Sequence, residues 1–258
     1  MILSHRSGKM AQQFCYIERD VLGNVNWEEM RSVYSNGGNY TRRTRRIQLA
    51  RQHAHGGVEH LIERFNRVCQ WVACEIVRTQ QLEERVKVIE KFIRLAQKCK
   101  MYTNFATLVQ ILLGLQSPSV SRLQKTWSRV GVAEMRQLDQ LSAFTSPMRN
   151  WKHIRDSMTT TKIKMPFGGC IPFLGIYLSD LVFNSEQPAY LDISPVLKQS
   201  LVNFRKHRIT ATVVKRVLTF QSLARRYSFE IDDDIYYMCS QLEVLKPETI
   251  RRLSFEIE

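Results

Sequence analysis

NFATLVQILLGLQ, residues 104–116, is the stretch whose reading decides the fold. Wound as a helix, it is apolar nearly all round, so it has no face to give to water and must lie at the centre of a packed body. Asn104 stands where an N-cap is wanted, its side chain able to accept a bond from a free N–H of the first turn. Pro118 follows two residues after the run and helps to stop it.

The neighbouring segments are built to cover such a helix. Residues 58–78, VEHLIERFNRVCQWVACEIVR, place Leu61, Phe65, Val68, Val72 and Ile76 at spacings of three and four. That is one apolar stripe on an amphipathic helix. Residues 82–100 repeat the pattern with Val86, Ile89, Ile93 and Ala96. Further helices are expected over 119–128, 132–145 and 147–158, the last with Pro147 in its first turn. A long basic helix is expected over 197–227. Asp232–Asp234 supply acidic charge at the start of another helix, over 232–242, and Lys246-Pro247-Glu248 opens a final one. Residues 159–170 read as a linker, and IPFLGIYLSDLVFN at 171–184 stays open between strand and helix because Pro172 and Gly175 interrupt it. The class is all-α: a single multi-helix domain.

The chain has 258 residues, 44% of them hydrophobic and 24% charged. That suffices for one large domain with a substantial core. No apolar run reaches the roughly 18–20 residues a bilayer requires, and no secretory leader is expected from MILSHRSGKMAQQF. Six cysteines, at 15, 69, 74, 99, 170 and 239, are scattered without a CxxC pair. Buried free thiols in a reducing, cytoplasmic setting are expected. The net charge of +14 points to an acidic partner without choosing its class.

Enzyme constellations are missing from the sequence. There is no GxxxxGK[ST] phosphate cradle, no HExxH and no GxSxG. Gly168-Gly169 is too little for a dinucleotide fingerprint. His53, His55 and His60 lack a supporting cysteine or carboxylate at ligand spacing and read as loop histidines, with no metal or cofactor expected. Residues 31–57 form an exposed basic loop inside the domain. Arg42, Arg43, Arg45 and Arg46 within it read either as a solvated loop or as a contact for anionic lipid or an acidic partner. Nucleic acid is not expected, since no aromatic platform is interleaved with them.

Five groups of residues resemble the catalytic domain of the Ras-family guanine-nucleotide exchange factors, the RasGEF domain. They are AQQFCYIERDVLGNV at 11–25, FNRVCQWVACEIV at 65–77, NFATLVQILLGLQSPSVSRLQKTW at 104–127, CIPFLGIYLSDLVF at 170–183, and the pair LVNFRKHR at 201–208 and LSFEIE at 253–258. They occur in the family's order and cover residues 8–258, leaving 1–7 as an N-terminal tail. The resemblance implies a protruding helical hairpin that begins after IPFLGIYLSD. It implies a partner, a Ras, Rap or Ral type small GTPase, from which GDP release is promoted without covalent chemistry. By position it assigns Val182 as the wedge at the Mg²⁺ site and Glu186 as the carboxylate taking a phosphate's place. It assigns Ile62, Glu63, Val109, Gln116, Trp151, Phe173, Leu178, Ser179 and Asp180 to the surface that anchors on the second switch. Without the family, Val182, Val109 and Phe173 read as core and Glu186 as a solvated charge before a proline break. The turn Glu186-Gln187-Pro188 is one residue shorter than the family's usual one, which keeps open an alternative: a weakly active module that docks a GTPase or scaffold. A monomer, part of a larger chain and acting at the inner face of membranes, is expected.

Overall fold

A computed structural model describes residues 2–30, 56–159, 168–193 and 200–258. Arg42, Arg43, Arg45, Arg46, His53 and His55 lie outside the described residues. The elements are α1 (Ser7–Gly23), α2 (Gly57–Val77), α3 (Leu82–Met101), α4 (Phe105–Leu115), α5 (Pro118–Ser121), α6 (Gln124–Trp127), α7 (Val132–Phe144), α8 (Met148–Thr159), α9 (Gly175–Ser185), β1 (Tyr190–Ile193), β2 (Ser200–Val202), α10 (Phe204–Ala224), α11 (Asp233–Ser240) and α12 (Pro247–Ile257). Among the described residues the fold is all-α apart from the antiparallel β1–β2 ribbon.

Helix α4 is the hub. Ten of its eleven residues are buried, and only Leu113 reaches solvent. Asn104 caps it as expected: its Oδ1 accepts from the Thr107 N–H at 3.0 Å. Helices α1, α2, α3 and α5 pack round it. The closest crossing is with α2, at Gly114. A Cβ there would come within 2.6 Å of the Val72 Cβ and 2.8 Å of the Cys69 carbonyl oxygen, so only glycine lets the two helices meet. Beside this crossing Trp71 sits between Phe14 and Phe92, with ring centroids 5.9 and 5.1 Å away.

Two buried polar knots tie the ends of the chain to the helices round the hub. In the first, the Arg64 guanidinium donates to Glu18 at 3.3 Å and to the carbonyls of Ser240 and Cys239 at 3.1 and 2.7 Å. Gln110 of α4 reaches the other Glu18 oxygen at 3.4 Å. In the second, Arg85 donates to Thr126 Oγ1 at 2.9 Å and to the carbonyls of Thr79 and Gln80 at 2.8 Å each. The Glu258 carboxylate accepts from the backbone N–H groups of Lys125 and Thr126, both at 2.9 Å, and stands 3.5 Å from Arg85. Burial alone would raise the Glu258 carboxyl. The bonds from Thr126 and Lys125, with Arg85 nearby, outweigh it and hold the group below its ordinary value of 4.5.

Several expectations are corrected. The long helix expected over 197–227 starts only at Phe204, because residues 200–202 pair as a strand with 190–193 and Asn203 caps the helix. The single helix expected over 119–128 is two short ones, α5 and α6, divided at Arg122 and Leu123. In α8, Arg149, Asn150 and Trp151 have φ of 53°, 57° and 59°, a left-handed turn that costs about 1–2 kcal/mol per non-glycine residue. Ahead of α1, Ile2 is buried and its N–H donates to Glu75 at 3.3 Å. The segment 171–184 resolves as an extended lead-in followed by helix α9 from Gly175.

Five of the six cysteines are buried and Cys69 is partly so; none is in a disulfide. Burial pushes the Cys69, Cys170 and Cys239 thiols up to about 12, so they stay protonated.

Replacing Gly114 with Ala is expected to destabilise the fold by about 1–3 kcal/mol, since neither Val72 nor the α2 backbone can yield freely; a denaturant titration reads it. Glu258→Gln is expected to lose about 1–2 kcal/mol at pH 7. Because the folded carboxyl lies below its unfolded value, its stabilisation is complete above the ordinary carboxylate range and is lost as pH falls through the lowered value. The difference in melting temperature between wild type and variant should therefore be widest at neutral pH and close in acid below about pH 4.5.

Candidate functional site

The site is assembled where α8, the lead-in to α9, and α2 meet. The lead-in is pinned to the hub. Ile171 N–H donates to the Thr103 carbonyl at 3.0 Å, and Phe105 N–H donates to the Ile171 carbonyl at 2.9 Å. Gly168, with φ of 81°, and Gly169 pass against α10's end, where a Cβ would strike the Arg226 carbonyl and the Tyr227 ring at 2.6 and 2.5 Å. The glycine pair, too little for a dinucleotide fingerprint, thus has a packing role. From this anchored strand Phe173 projects, half-buried, into a row of rings. Phe65 of α2 stacks on it at 5.5 Å between centroids, and Trp151 of α8 meets it edge-on at 5.1 Å. Ile62 lies one turn before Phe65 on α2 and is exposed, so Ile62, Phe65, Phe173 and Trp151 form one partly open apolar surface.

The other expected anchor residues are distributed differently. Val109 is only 2% exposed and Leu178 8%, so both are buried. Glu63 and Ser179 are exposed; the Ser179 hydroxyl donates to the Gly175 carbonyl at 2.8 Å. Gln116 ends α4, about 16 Å along the helix from where the lead-in docks. Its amide stands 3.5 Å from Ser142 of α7. Asp180 is half-buried, with both its oxygens bound by Arg155 at 2.8 Å.

Helices α9 and α10 form the hairpin, joined through the β1–β2 ribbon. Its base is apolar: Tyr177 packs on Phe220 at 5.8 Å, and Val213, Val217, Phe220 and Ala224 make the buried stripe of α10. Its upper part is held by polar groups. Asn184 donates to the Lys206 carbonyl at 2.8 Å and to Thr210 Oγ1 at 2.9 Å. Lys206 Nζ returns across the gap to the carbonyls of Ser185 and Gln187 at 3.0 and 2.6 Å. A cation there satisfies carbonyls left over at the end of α9 and matches its negative pole. Asn203 caps α10 through Lys206 N–H at 3.2 Å and donates to the Pro188 carbonyl at 2.9 Å. Asn184, Asn203 and Lys206 are therefore positional residues that sequence reading passed over. The only signal for two of them was their place in LVNFRKHR.

This bracing leaves one face of α9 open. Val182 is 40% exposed and Phe183 73%. Glu186 keeps right-handed helical angles at the end of α9, so it lies one turn after Val182 on the same side, and it is exposed. The apolar run continues over Tyr190, Leu191, Leu201, Val202 and Phe204, all exposed. Among the described residues no group of three or more His, Cys, Asp or Glu converges as a metal site. No helix among them is long and apolar enough to cross a membrane. The arrangement offers a surface: a row of rings, a bare valine and a carboxylate on a stiff projection.

A model of the RasGEF domain matches residues 9–208. The chain is 28% identical over 253 residues to guanine nucleotide exchange factor LTE1 of Saccharomyces cerevisiae, an alignment taking in 98% of this chain and 17% of that protein. It is 31% identical over 219 residues to Ras guanine nucleotide exchange factor W of Dictyostelium discoideum, covering 84% of this chain and 17% of the other. With Ras guanine nucleotide exchange factor E of the same organism identity rises to 44% over 124 residues, 47% of this chain and 12% of the other. The chain thus spans under a fifth of the length of these relatives.

Removal of the Lys206 ammonium group tests the bracing. In Lys206→Ala the amides of Gln187 and Asn203 should exchange with solvent about tenfold faster, the loss of roughly 1–1.5 kcal/mol of local hydrogen bonding. Amides of α4 should exchange at the wild-type rate.

Proposed function

The chain belongs to the RasGEF domain family, and from that premise we propose that it promotes GDP release from a Ras-family small GTPase of Ras, Rap or Ral type. The observation that best supports this is the exposed Val182–Glu186 face on a polar-braced hairpin beside an open row of rings. In the proposed mechanism the surface of Ile62, Phe173 and Trp151 holds the GTPase's second switch. Buried aromatic anchors of this kind dominate interface energies. The hairpin then displaces the first switch. Val182 occupies the space of the Mg²⁺ ion, and Glu186 accepts the hydrogen bonds that a nucleotide phosphate would otherwise take. No covalent step is needed. The factor binds the open GTPase more tightly than the nucleotide-bound one, and that difference sets how far the equilibrium moves.

Residues 8–258 act as one unit in this reading. The knots at Arg64 and Arg85 bind the portion after residue 208 to α2 and α3, which supports it. The unit functions as a monomer within a larger chain, at the inner face of a membrane. The net charge of +14 suits an anionic lipid face. A second reading, a docking module with weak release activity, draws on the shortened Glu186-Gln187-Pro188 turn.

Release of fluorescently labelled GDP from purified Ras, Rap and Ral proteins decides between the two. Acceleration of at least one GTPase is expected. Glu186→Ala should slow release about tenfold or more, in line with roughly 1.5–3 kcal/mol for a lost charged hydrogen bond, and Val182→Ala should slow it about tenfold, in line with roughly 1.5 kcal/mol for two apolar carbons removed from the wedge. Complex formation without faster release would select the docking module, and neither binding nor release would reject both readings.

A further inference from the structure

Four hydrogen bonds from the Arg155 guanidinium run to two different elements, α8 and α9. Its Nε donates to the Asn150 carbonyl at 2.8 Å, and one terminal nitrogen donates to Asn150 Oδ1 at 3.0 Å. The two terminal nitrogens also hold the two oxygens of Asp180, each at 2.8 Å. Asn150 is the middle residue of the left-handed turn Arg149–Trp151. Asp180 stands in α9, two residues before Val182.

The turn has no glycine to make it easy, and its geometry aims the Trp151 ring at Phe173. A strained backbone persists only where its surroundings over-determine it. Arg155 does this directly, gripping both the main chain and the side chain of the central residue. The same group fixes α9 through a bidentate pair, the geometry that a planar guanidinium satisfies and an ammonium cannot. Two rungs therefore run from α8: the Trp151–Phe173 ring contact to the lead-in, and the Arg155–Asp180 fork to α9, the hairpin's first leg.

We propose that Arg155 is a positioning residue that locks the anchoring ring Trp151 and the wedge-bearing helix α9 in one fixed relation, an inference that rests on the exchange-factor reading above. It reassigns Asp180. The carboxylate serves Arg155 and does not itself bind the GTPase. A GTPase gripped at Trp151 is then presented to Val182 at a set distance, so the clamp governs the release step more than the grip.

Two readouts test it on the full chain. In GDP-release assays, Arg155→Ala, Arg155→Lys and Asp180→Ala should each lower the maximal release rate about tenfold while changing the GTPase concentration at half-maximal rate less than threefold. Arg155→Ala/Asp180→Ala should fall within twofold of the single variants, because the pair acts as a unit. If Asp180 contacts the GTPase itself, the double variant will be much slower than Arg155→Ala, and the proposal fails. Variants that release GDP at the wild-type rate also overturn it. The second readout needs no GTPase. With 5-fluorotryptophan in the chain and Trp151→Phe used to assign its signal, Arg155→Lys and Asp180→Ala should shift the ¹⁹F resonance of Trp151 and leave those of Trp71 and Trp127 in place. An unmoved Trp151 signal overturns the clamp even if the wild type proves to release no nucleotide. A moved one with an inactive wild type upholds the clamp and rejects only the exchange reading. Wild-type positions for Trp71 and Trp127 show that the variants are folded.

Discussion

Everything in this structure depends on the enclosure of α4. A helix apolar on nearly every side gains from burial on every side, at about 25 cal/mol for each Å² removed from water. One neighbour cannot supply that, so α1, α2, α3 and α5 are drawn round it. Gly114 sets how near α2 comes, and with it where Phe65 stands at the outer edge. The N-terminal end of the same helix receives Ile171 through two backbone bonds, which places Phe173 opposite Phe65. The aromatic surface is thus a by-product of covering the hub: its rings sit where the sheath of helices runs out.

The hairpin obeys a different physics. Away from the core there is little apolar area to bury, and its open side carries valine and phenylalanine bare to water. Stiffness there has to come from directional bonds. Asn184, Lys206 and Asn203 supply it, each joining one leg or the turn to the other leg. Lys206 also contributes charge at the end of α9, where leftover carbonyls favour a cation. An exposed apolar face on a braced projection is a costly thing to keep in a monomer, and such faces mark interaction sites.

The sequence was legible where a local rule and the global packing agreed. The stripes of α2 and α3 and the all-round apolarity of α4 were plain from spacing. So were the cap at Asn104, which accepts from the N–H three residues on, and the acidic start of α11, where the structure adds a cap by Asp232. It was illegible where a long-range bond overrode local preference. Nothing in residues 200–203 announces that they stand outside the helix; the reason is the pairing of 200–202 with 190–193. Nothing in Arg149-Asn150-Trp151 announces a left-handed turn, because the residue that stabilises it, Arg155, acts through its side chain. At the site, family likeness named Trp151, Phe173, Val182 and Glu186 by position. It could not separate exposed residues from supporting ones. Val109 and Phe173 are both apolar, yet only the second reaches the surface, since α4 is enclosed and the lead-in to α9 is not.

In the proposed mechanism, the division between a gripping surface and a stiff projection follows from what release by binding demands. Moving a partner from one closed molecule in a hundred to ninety-nine open ones takes about 5.5 kcal/mol of differential affinity. A surface that holds closed and open forms equally well contributes nothing to that difference, however tightly it binds. The energy must come from groups whose fit depends on the partner's state, and it survives only if those groups do not yield when pressed. Rings with adaptable contacts suit the grip. A valine and a carboxylate one turn apart, backed by Asn184, Lys206 and the Arg155–Asp180 fork, suit the push, because each kilocalorie of bending in the hairpin would be subtracted from the strain imposed on the nucleotide site.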